Sequence, residues 1–418
     1  MKPAVKKETN QPEQKEVSLK PLYARSVVNS LGAGMVNPFM GAYAIKLGAS
    51  ESDMGWFQSA SNISNNVMQV FWGRLSDRIK RRIPFIILGT LIMSTLWIPM
   101  IFVTNATQLI LLIALQALIG SMATPAWTAL IGDLVPSTKL GRANASINLW
   151  ASIGSVIATI ASGIVMLSVG GSPQEMMFIP LLIAAICGIT SCVAMLRVKE
   201  KKNGEKLNLR KQFTSDFLNT LRYTKKNPQF VKYCYVVGVF EFFMSICWPL
   251  IARTQVDVLN ATMLHIALLS VVQSVVTIAF QGWAGKVTDT IGRKPAMLIF
   301  RLTLITVPLA YAFVPSIEAL IVVGAFWGAA TALGNAAVTA YLLDIAPEEH
   351  RGSFTAVFNL VIGVTTFFGS LIGGYLSAYT VGIFGLVAGL QIVYMVSMSG
   401  RIIGALLHFR LKETLKKS

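Results

Sequence analysis

Two ten-residue stretches decide the fold: GRLSDRIKRR at residues 73–82 and GKVTDTIGRK at residues 285–294. Four residues of the first stretch return 212 positions later, with Gly73, Asp77, Arg81 and Arg82 matched by Gly285, Asp289, Arg293 and Lys294. A second set returns after 211 positions, with Asp133, Pro136, Gly141 and Asn148 matched by Asp344, Pro347, Gly352 and Asn359. This repeat predicts two halves of one design in the same orientation.

Long uncharged stretches surround both motifs. The chain has 418 residues, of which 54% are apolar and 13% charged, whereas about 25% of the residues of a soluble domain are charged. No charged residue occurs at 84–132, 143–174 or 352–400, and about 20 apolar residues suffice for one helical crossing of a bilayer. The pattern predicts an all-α polytopic membrane protein and excludes a soluble enzyme. We expect turns at Asn105 and at residues 380–382, inside the two longest stretches.

Twelve membrane spans fit the sequence, six in each half. Numbered 1 to 12, they are expected near 22–46, 54–75, 84–104, 108–131, 143–168, 176–196, 229–252, 261–284, 295–315, 317–343, 353–379 and 383–408. With both termini in the cytoplasm, all but four of the 36 Lys and Arg residues fall on the cytoplasmic side. The positive-inside rule favours this orientation, in a plasma membrane. The net charge of +17 therefore reflects topology and not nucleic-acid binding.

The four exceptions are Lys46, Arg253, Arg301 and Arg401. Lys46 and Arg253 are expected outside the cell. Arg301 and Arg401 fall within spans 9 and 12, and we expect their long side chains to reach the cytoplasmic interface.

The charge pattern also divides the chain into five parts. We expect a disordered cytosolic tail at 1–20, a six-helix half at 21–197, a cytoplasmic linker at 198–227, a second six-helix half at 228–410 and a cytosolic tail at 411–418. Apolar residues recur every four positions in the linker, at Leu209, Phe213, Phe217 and Leu221, which predicts an amphipathic helix on the inner membrane surface. The four cysteines fall inside spans and the three histidines are far apart, so we expect no disulfide framework, metal site or cofactor.

Parallel six-span halves joined by a central cytoplasmic linker resemble the major facilitator superfamily of secondary transporters. The loop between spans 2 and 3 of that family reads roughly Gly-x-Leu-x-Asp-Arg-x-Gly-Arg-Arg/Lys, and residues 73–82 depart from it only at Lys80. The second copy keeps Gly292 but has Val287 and Thr290 at two motif positions. The resemblance covers residues 21–410 and implies the fold of that family, acting as a monomer.

In that family the loop motifs latch the two halves together in the outward-facing state. The resemblance implies this role for Gly73, Asp77, Arg78, Arg81, Asp133, Gly285, Asp289, Arg293 and Asp344. The residues themselves allow it, because carboxylates and guanidinium groups four positions apart can pair on a helix. A glycine at position 73 also permits close helix approach. The alternative is that these residues only set topology and cap helix ends.

Glu241 is the one acidic residue predicted near the middle of the membrane, about 18 Å from the inner end of span 7 at 1.5 Å per residue. A buried ionisable group in a span marks a functional hypothesis, and we expect Glu241 to bind a proton or a cationic substrate. The alternative is a neutral carboxyl group held by a structural partner.

In the family, spans 1, 4, 7 and 10 line the central cavity. On those spans we expect Asn29, Asn37, Gln116, Trp127, Trp248, Trp327 and Asn335 to contact substrate. Amides would hydrogen-bond polar groups and indoles would stack on rings or cations. Alternatively, each intramembrane amide serves only to join helices.

Together these features predict a secondary active transporter that works by alternating access and proton coupling, exporting amphipathic or cationic compounds. The chain has no phosphate-binding Gly-x-x-x-x-Gly-Lys-Ser/Thr sequence, which argues against ATP as the energy source. Mid-span arginines facing the cavity, which an anion carrier would need, are not expected. Uptake of a neutral polar solute, such as a sugar or metabolite, is one alternative. A non-transporting sensor or scaffold with the same fold is another.

Overall fold

The computed structural model describes residues 19–79, 81–135, 137–198 and 213–415. Most of the predicted N-terminal tail, linker residues 199–212 with Leu209, the Asp77 side chain and residues 416–418 lie outside the described part. Within it the chain is helical and forms the twelve expected spans. Ten of these helices are long and apolar enough to cross a membrane by length and composition alone, and spans 1 and 2 are divided into shorter helical segments.

The first half contains spans 1 to 6. Their bounds are Lys20–Val36, Asn37–Phe39 and Met40–Lys46 (span 1); Glu51–Ile63, Ser64–Met68 and Gln69–Ile79 (span 2); Ile83–Thr95 and Pro99–Ile101 (span 3); Ala106–Gly120 and Ala123–Leu134 (span 4); Ser137–Val169 (span 5); and Pro173–Leu196 (span 6).

The second half contains spans 7 to 12. Their bounds are Pro228–Ile246, Trp248–Arg253 and Thr254–Val258 (span 7); Met263–Ile291 (span 8); Arg293–Phe313 (span 9); Ile317–Ile345 (span 10); Arg351–Phe384, after the turn Glu348–His350 (span 11); and Leu386–His408 (span 12). A further helix, Phe213–Lys225, lies in the predicted linker, and its Leu221 packs against the second half.

Side-chain caps begin the spans on the face opposite the termini, here called the distal face. Ser50 and Ser172 form capping boxes with Asp53 and Glu175, and Asn105 accepts a hydrogen bond from the backbone of Gln108 as predicted for a turn. Such caps satisfy N–H groups that a helix leaves free. The predicted turn at residues 380–382 is wrong, because the helix continues to Phe384 and ends at Gly385, whose φ of 79° suits glycine.

Spans 1 and 7 are interrupted at matching positions. The breaks fall at Asn37-Pro38 and Trp248-Pro249, which are 211 residues apart. Proline has no N–H to continue a helical hydrogen-bond ladder. One turn further on, a Cβ atom placed on Gly41 would lie 3.0 Å from the Cβ atom of Ala252, so the two broken spans meet there across the boundary between the halves.

The two halves are joined near the distal face. One apolar core contains residues of both halves, such as Tyr43, Met54, Leu250 and Tyr394. Near the face that carries the termini, here called the terminal face, each half has a separate core. The structure is therefore closed on the distal face, and its halves are packed independently on the terminal face.

Candidate functional site

A cavity of about 580 Å³ lies between the halves, within the range of pockets that hold drug-sized molecules. The broken spans supply Asn37 and Trp248 at their prolines, and span 2 supplies Phe57, Gln58 and Asn62. The opposite wall comes from the second half. The cavity thus lies where the helix breaks expose side chains between the two halves.

Aromatic and amide groups alternate along the second-half wall. The rings of Tyr311 and Trp327 stack with centroids 5.8 Å apart, and Gln255 donates a hydrogen bond to the Tyr311 hydroxyl at 2.9 Å. Trp327 Nε1 donates to Thr306 Oγ1 at 3.1 Å. The two rings are therefore held in fixed orientations, and they form a buried apolar border of the cavity.

Of the seven residues predicted to contact substrate, Asn37, Trp248 and Trp327 lie in the wall. Gln116 is buried and donates from Nε2 to Met93 O at 2.8 Å, so it joins spans 4 and 3. The Trp127 ring lies 4.1 Å from the guanidinium carbon of Arg25. Asn29 is half-buried and Asn335 exposed on spans 1 and 10, and neither belongs to the wall as the structure describes it.

The expectation that spans 1, 4, 7 and 10 form the wall needs correction. Among the described residues that line the cavity, none comes from span 4, and spans 2, 8, 9 and 12 all contribute. The reason is that spans 2 and 11 meet on the distal side, where Asn62 Nδ2 donates to Ser370 Oγ at 3.1 Å and Ser59 Oγ to Phe367 O at 2.9 Å. This contact turns one face of span 2 toward the cavity.

Glu241 forms a buried ion pair. Its Oε1 accepts a hydrogen bond from Arg301 Nη1 at 2.7 Å, and the two side chains are 12% and 2% exposed. The Arg301 guanidinium also lies over the Phe240 ring, 4.4 Å from its centroid. Glu241 therefore has a buried arginine as its partner. It is not part of the cavity wall that the structure describes.

The prediction that Arg301 and Arg401 extend to the cytoplasmic interface is wrong. Each is 1% exposed. Arg401 donates from Nη1 to Leu304 O and from Nη2 to Met244 O at 3.1 Å. Leu304 lies four residues before Pro308, which cannot donate to its carbonyl, and Met244 is in the last turn of its helix, where carbonyls are free. These acceptors compensate the burial that the sequence argument treated as too costly.

On the terminal face, the second half carries a connected ionic cluster. Arg293 Nη1 contacts Asp289 Oδ1 at 2.6 Å, and Arg293 Nε contacts Asp344 Oδ2 at 3.2 Å. The Glu413 carboxylate accepts from the backbone N–H groups of Arg293 and Lys294, both at 3.0 Å. Thr414 Oγ1 donates to Asp344 at 2.8 Å. The segment after span 12 therefore closes a cluster in which sequence analysis had placed only Asp289, Arg293 and Asp344.

In the corresponding cluster of the first half, the described contacts come from Arg82. Arg82 Nε lies 3.5 Å from Asp133 Oδ2, and Arg82 Nη1 donates to Ser76 Oγ at 3.1 Å. Since 51 positions separate both Arg82 from Asp133 and Arg293 from Asp344, Arg82 is the equivalent of Arg293 in this contact. Arg81 follows the helix and is exposed, and its role in the latch stays a prediction.

The motif glycines differ between the two halves. A Cβ atom on Gly73 would lie 3.2 Å from the Cβ atom of Pro125, so this glycine lets spans 2 and 4 approach. The same construction at Gly285 meets no described atom within 4 Å. Arg78 is half-buried in the last turn of span 2, and the Asp77 side chain lies outside the described part.

The distal face is held by an ion pair between the halves that sequence analysis missed. Arg253 Nη2 lies 3.2 Å from Glu51 Oε1, and Arg253 Nη1 donates to Ala49 O at 3.2 Å. The same guanidinium binds Asp257 of its own half, with 3.0 Å between Nε and Oδ2. Arg253 thus connects the start of span 2 to the end of span 7.

The repeat contains a signal for the missed wall residues. The 211-residue offset places Asn37 with Trp248 and Asn62 with Gln273, and all four line the cavity. Matching polar positions in both halves therefore indicate the wall. No matched polar pair pointed to Arg401. An arginine within a span is rare, and this one was explained by a side chain that reaches the membrane interface.

Known proteins share this architecture. The model of the Major Facilitator Superfamily matches residues 23–252 and 234–415. An uncharacterised transporter of the same type from Methanocaldococcus jannaschii is 25% identical over 84% of this chain and 86% of its own length. Multidrug resistance protein 2 of Bacillus subtilis is 24% identical over 85% of this chain and 87% of its own.

Solved structures agree at the level of fold. A variant of the nucleoside transporter NupG superposes with a TM-score of 0.76 at 16% identity, covering 94% of this chain and 99% of that one. A bacterial homologue of the human lysosomal transporter Spinster, inward-facing and unoccupied, gives 0.70 at 16% identity, covering 94% and 96%. With the family model matched across both halves, the chain belongs to the Major Facilitator Superfamily of transporters.

Proposed function

We propose that this transporter exports amphipathic compounds from the cytoplasm by alternating access, driven by protons that enter in exchange. The observation that carries the proposal is the cavity between the halves, closed on the distal face by the shared apolar core and by the Arg253–Glu51 pair. Independent packing of the halves on the terminal face leaves a route by which solute can enter. The positive-inside rule assigns that face to the cytoplasm of a plasma membrane.

The composition of the wall supports an amphipathic solute. Trp248, Trp327 and Tyr311 give the wall an aromatic border, while Gln58 and Gln255 contribute amide groups. Similarity to multidrug resistance protein 2 of Bacillus subtilis favours export over uptake. The cationic preference expected from the sequence is disfavoured, because the wall, as far as the structure describes it, contains no carboxylate.

We assign proton coupling to Glu241. A carboxylate paired to arginine in the membrane interior can exchange a proton if the pair opens during the cycle. Spans 7 and 9 both contribute to the cavity wall and carry the two partners. Movement of either span during the cycle would therefore separate Glu241 from Arg301 and allow protonation.

The terminal-face clusters are assigned to the latch. In the structure, whose distal face is closed, the charged residues of each cluster pair within their own half, as in the Arg82–Asp133 and Arg293–Asp344 pairs. We propose that the motif residues exchange these partners for helix ends of the other half when the terminal face closes. We include Asp77 and Arg78 in this proposal because they belong to the loop motif at residues 73–82.

Reconstituted vesicles test the function directly. Purified protein is placed in liposomes, and fluxes of anionic, neutral and cationic aromatic solutes are measured under an imposed pH gradient. We expect gradient-driven transport out of the cytoplasmic compartment, lost in Glu241→Gln and also in the double variant Glu241→Gln/Arg301→Gln. The double variant removes both charges, so its loss of driven transport cannot be attributed to an unpaired buried arginine.

Glu318→Gln is the matched control. Glu318 is 68% exposed at the distal end of span 10, so its neutralisation should leave driven transport unchanged. Full gradient-driven transport by the double variant would reject proton coupling through Glu241. Accumulation in the opposite direction would reject export and support uptake of a polar solute.

A further inference from the structure

The membrane interior of the second half contains an unequal number of opposite charges. Arg301 and Arg401 are both 1% exposed, whereas Glu241 is the one buried carboxylate among the described residues of this half. Glu241 is paired with Arg301 at 2.7 Å. In the part of the chain that the structure describes, no ion pair reaches Arg401. One positive charge therefore remains without a carboxylate partner, and charges are rarely buried in a membrane without a functional partner.

Arg401 lies in the wall of the cavity, on span 12. Its Nη atoms contact the carbonyl oxygens of Leu304 and Met244 and, at 2.8 Å, Cys247 Sγ. Its Nε is buried with no hydrogen-bond partner. A guanidinium group has five N–H donors, so this side chain retains unused donors, and no carboxylate among the described residues forms an ion pair with it.

The acceptors that Arg401 now uses are weaker than an anion would be. Peptide carbonyls and a thiol are neutral, whereas hydrogen bonds from a guanidinium group to a carboxylate are about twice as strong and often bidentate. An incoming carboxylate could therefore replace a carbonyl acceptor and use the free donors at the same time. Because Arg401 is almost fully covered, this contact would form at the bottom of the cavity.

We infer that Arg401 is the anchor for an anionic group of the solute, so that the substrates are amphipathic anions carrying a carboxylate and an aromatic ring. This inference rests on the proposed function and specifies its substrate class. The half-buried Trp248 indole supplies a surface for the aromatic part, and the Tyr311 and Trp327 rings border the same cavity as Arg401. The assignment reverses the expectation that no mid-span arginine faces the cavity.

Binding to purified protein in detergent, without any gradient, tests the assignment separately from transport. The probes are indole-3-acetate, indole-3-acetamide and tryptamine in tritiated form, which share one ring and differ in charge. We expect indole-3-acetate to bind at least about tenfold more tightly than the amide, since hydrogen bonds to charged groups are the stronger ones. Tryptamine should bind most weakly.

Arg401→Gln should reduce the acetate-to-amide ratio to about one while leaving the affinity for the amide unchanged. Arg401→Lys keeps the charge and should keep most of the preference, which provides a second test if the glutamine variant does not fold. Arg25→Gln is the matched control, because Arg25 is another buried arginine outside the described wall, and its ratio should equal that of the parent.

Equal binding of the three probes by the parent, preference for tryptamine or failure of all three to bind would each overturn the assignment. An unchanged ratio in Arg401→Gln would do the same. None of these outcomes depends on proton coupling. Loss of driven transport in the Glu241 variants therefore leaves this inference standing, and the vesicle assay can succeed where this one fails.

Discussion

The two halves share a frame but differ in the chemistry placed on it. The three buried charges of the second half, Glu241, Arg301 and Arg401, correspond at the 211-residue offset to Ser30, Thr90 and Thr190 of the first. Each charged group is thus matched by a neutral hydroxyl. The proline breaks at Asn37-Pro38 and Trp248-Pro249, by contrast, are retained in both halves. The repeat preserves the backbone geometry that forms the cavity, whereas the buried ion pair and the arginine in the cavity wall belong to the second half alone among the described residues.

The described contacts of the two terminal-face clusters can be compared in the same way. Arg293 binds two carboxylates of the second half, and Glu413 caps the adjacent helix start. Arg82 of the first half has a longer 3.5 Å contact to an aspartate whose side chain is 60% exposed. Variants at equivalent positions of the two halves therefore measure how much each half depends on its charged groups for stability.

The largest difference is expected at the buried ion pair. Arg301→Met leaves the Glu241 carboxylate buried without its donor, which should lower the free energy of unfolding by about 3–5 kcal/mol. Thr90→Val removes a hydroxyl that accepts a 3.4 Å hydrogen bond from Arg25, and should cost about 1 kcal/mol. Denaturation in mixed detergent micelles measures both. Equal losses would show that the ion pair is no more important than its neutral counterpart.

The next effect concerns the terminal-face clusters. Arg293→Gln removes two ion pairs at once and should destabilise the loop between spans 8 and 9 by about 2 kcal/mol. Hydrogen exchange of the backbone amides in that loop, compared with the amides in the loop between spans 2 and 3 of the same variant, gives the measurement. Unchanged exchange in the loop between spans 8 and 9 would contradict the stabilising role of the cluster.

Smaller effects should separate contacts between the halves from contacts within one half. Glu51→Gln weakens the link between spans 2 and 7 and should favour opening of the distal face by about 0.5–1 kcal/mol. Asp257→Asn is the matched control, because it removes the partner of Arg253 within the second half. Labelling of Met54→Cys by an impermeant thiol reagent from the distal side reports the opening. A larger rise in labelling from Asp257→Asn would contradict the assignment.

The smallest effect is expected at Glu413. Partial burial raises the pKa of this carboxyl group, but hydrogen bonds from the N–H groups of Leu415, Lys294, Arg293 and Thr414 outweigh it and hold the pKa below 4.5. A lowered pKa stabilises the folded protein above pH 4.5, and this contribution disappears as the pH falls through the folded-state value. Glu413→Gln should therefore cost about 0.5 kcal/mol at pH 7, because the exposed group is screened by solvent.

Melting of the parent and the Glu413→Gln variant at a series of pH values provides the measurement. The two proteins should converge as the pH falls below 4.5. A difference that stays constant down to pH 3 would show that the glutamine acts through packing and not through charge.

Span number, orientation and the repeat were accessible from sequence because they depend on local hydrophobicity and on counts of Lys and Arg. The wall of the cavity was less accessible. Spans 2 and 8 contribute to the wall, and span 4 contributes no described residue. The composition of the wall depends on which helices meet on the distal side, and that is a tertiary property. The turn predicted at residues 380–382 lies at Gly385 instead, because the sequence alone does not distinguish a glycine inside a helix from a glycine that ends one.

Errors at charged residues had two physical origins. Arg301 and Arg401 were expected at the interface because the cost of burial depends on partners that only the fold supplies, such as the Leu304 carbonyl freed by Pro308. The Arg82–Asp133 contact was not predicted because the loop after the motif is one residue longer in the first half than in the second, which changes the repeat offset from 212 to 211. The repeat itself could have indicated Asn62 and Gln273, whose matched positions both reach the cavity.

The position of Glu413 also determines when its contact to the helix that begins at Arg293 can form during synthesis. Chains are synthesised from the N-terminus, and domains generally fold as units as they emerge. The helix that begins at Arg293 can enter the membrane early, yet the carboxylate that caps it is added only after span 12 has been translated. Asp133 and Asp344 are each added 51 residues after the arginine that they bind. The Glu413 contact to the N–H group of Arg293 spans 120 residues, so it forms much later than these ion pairs.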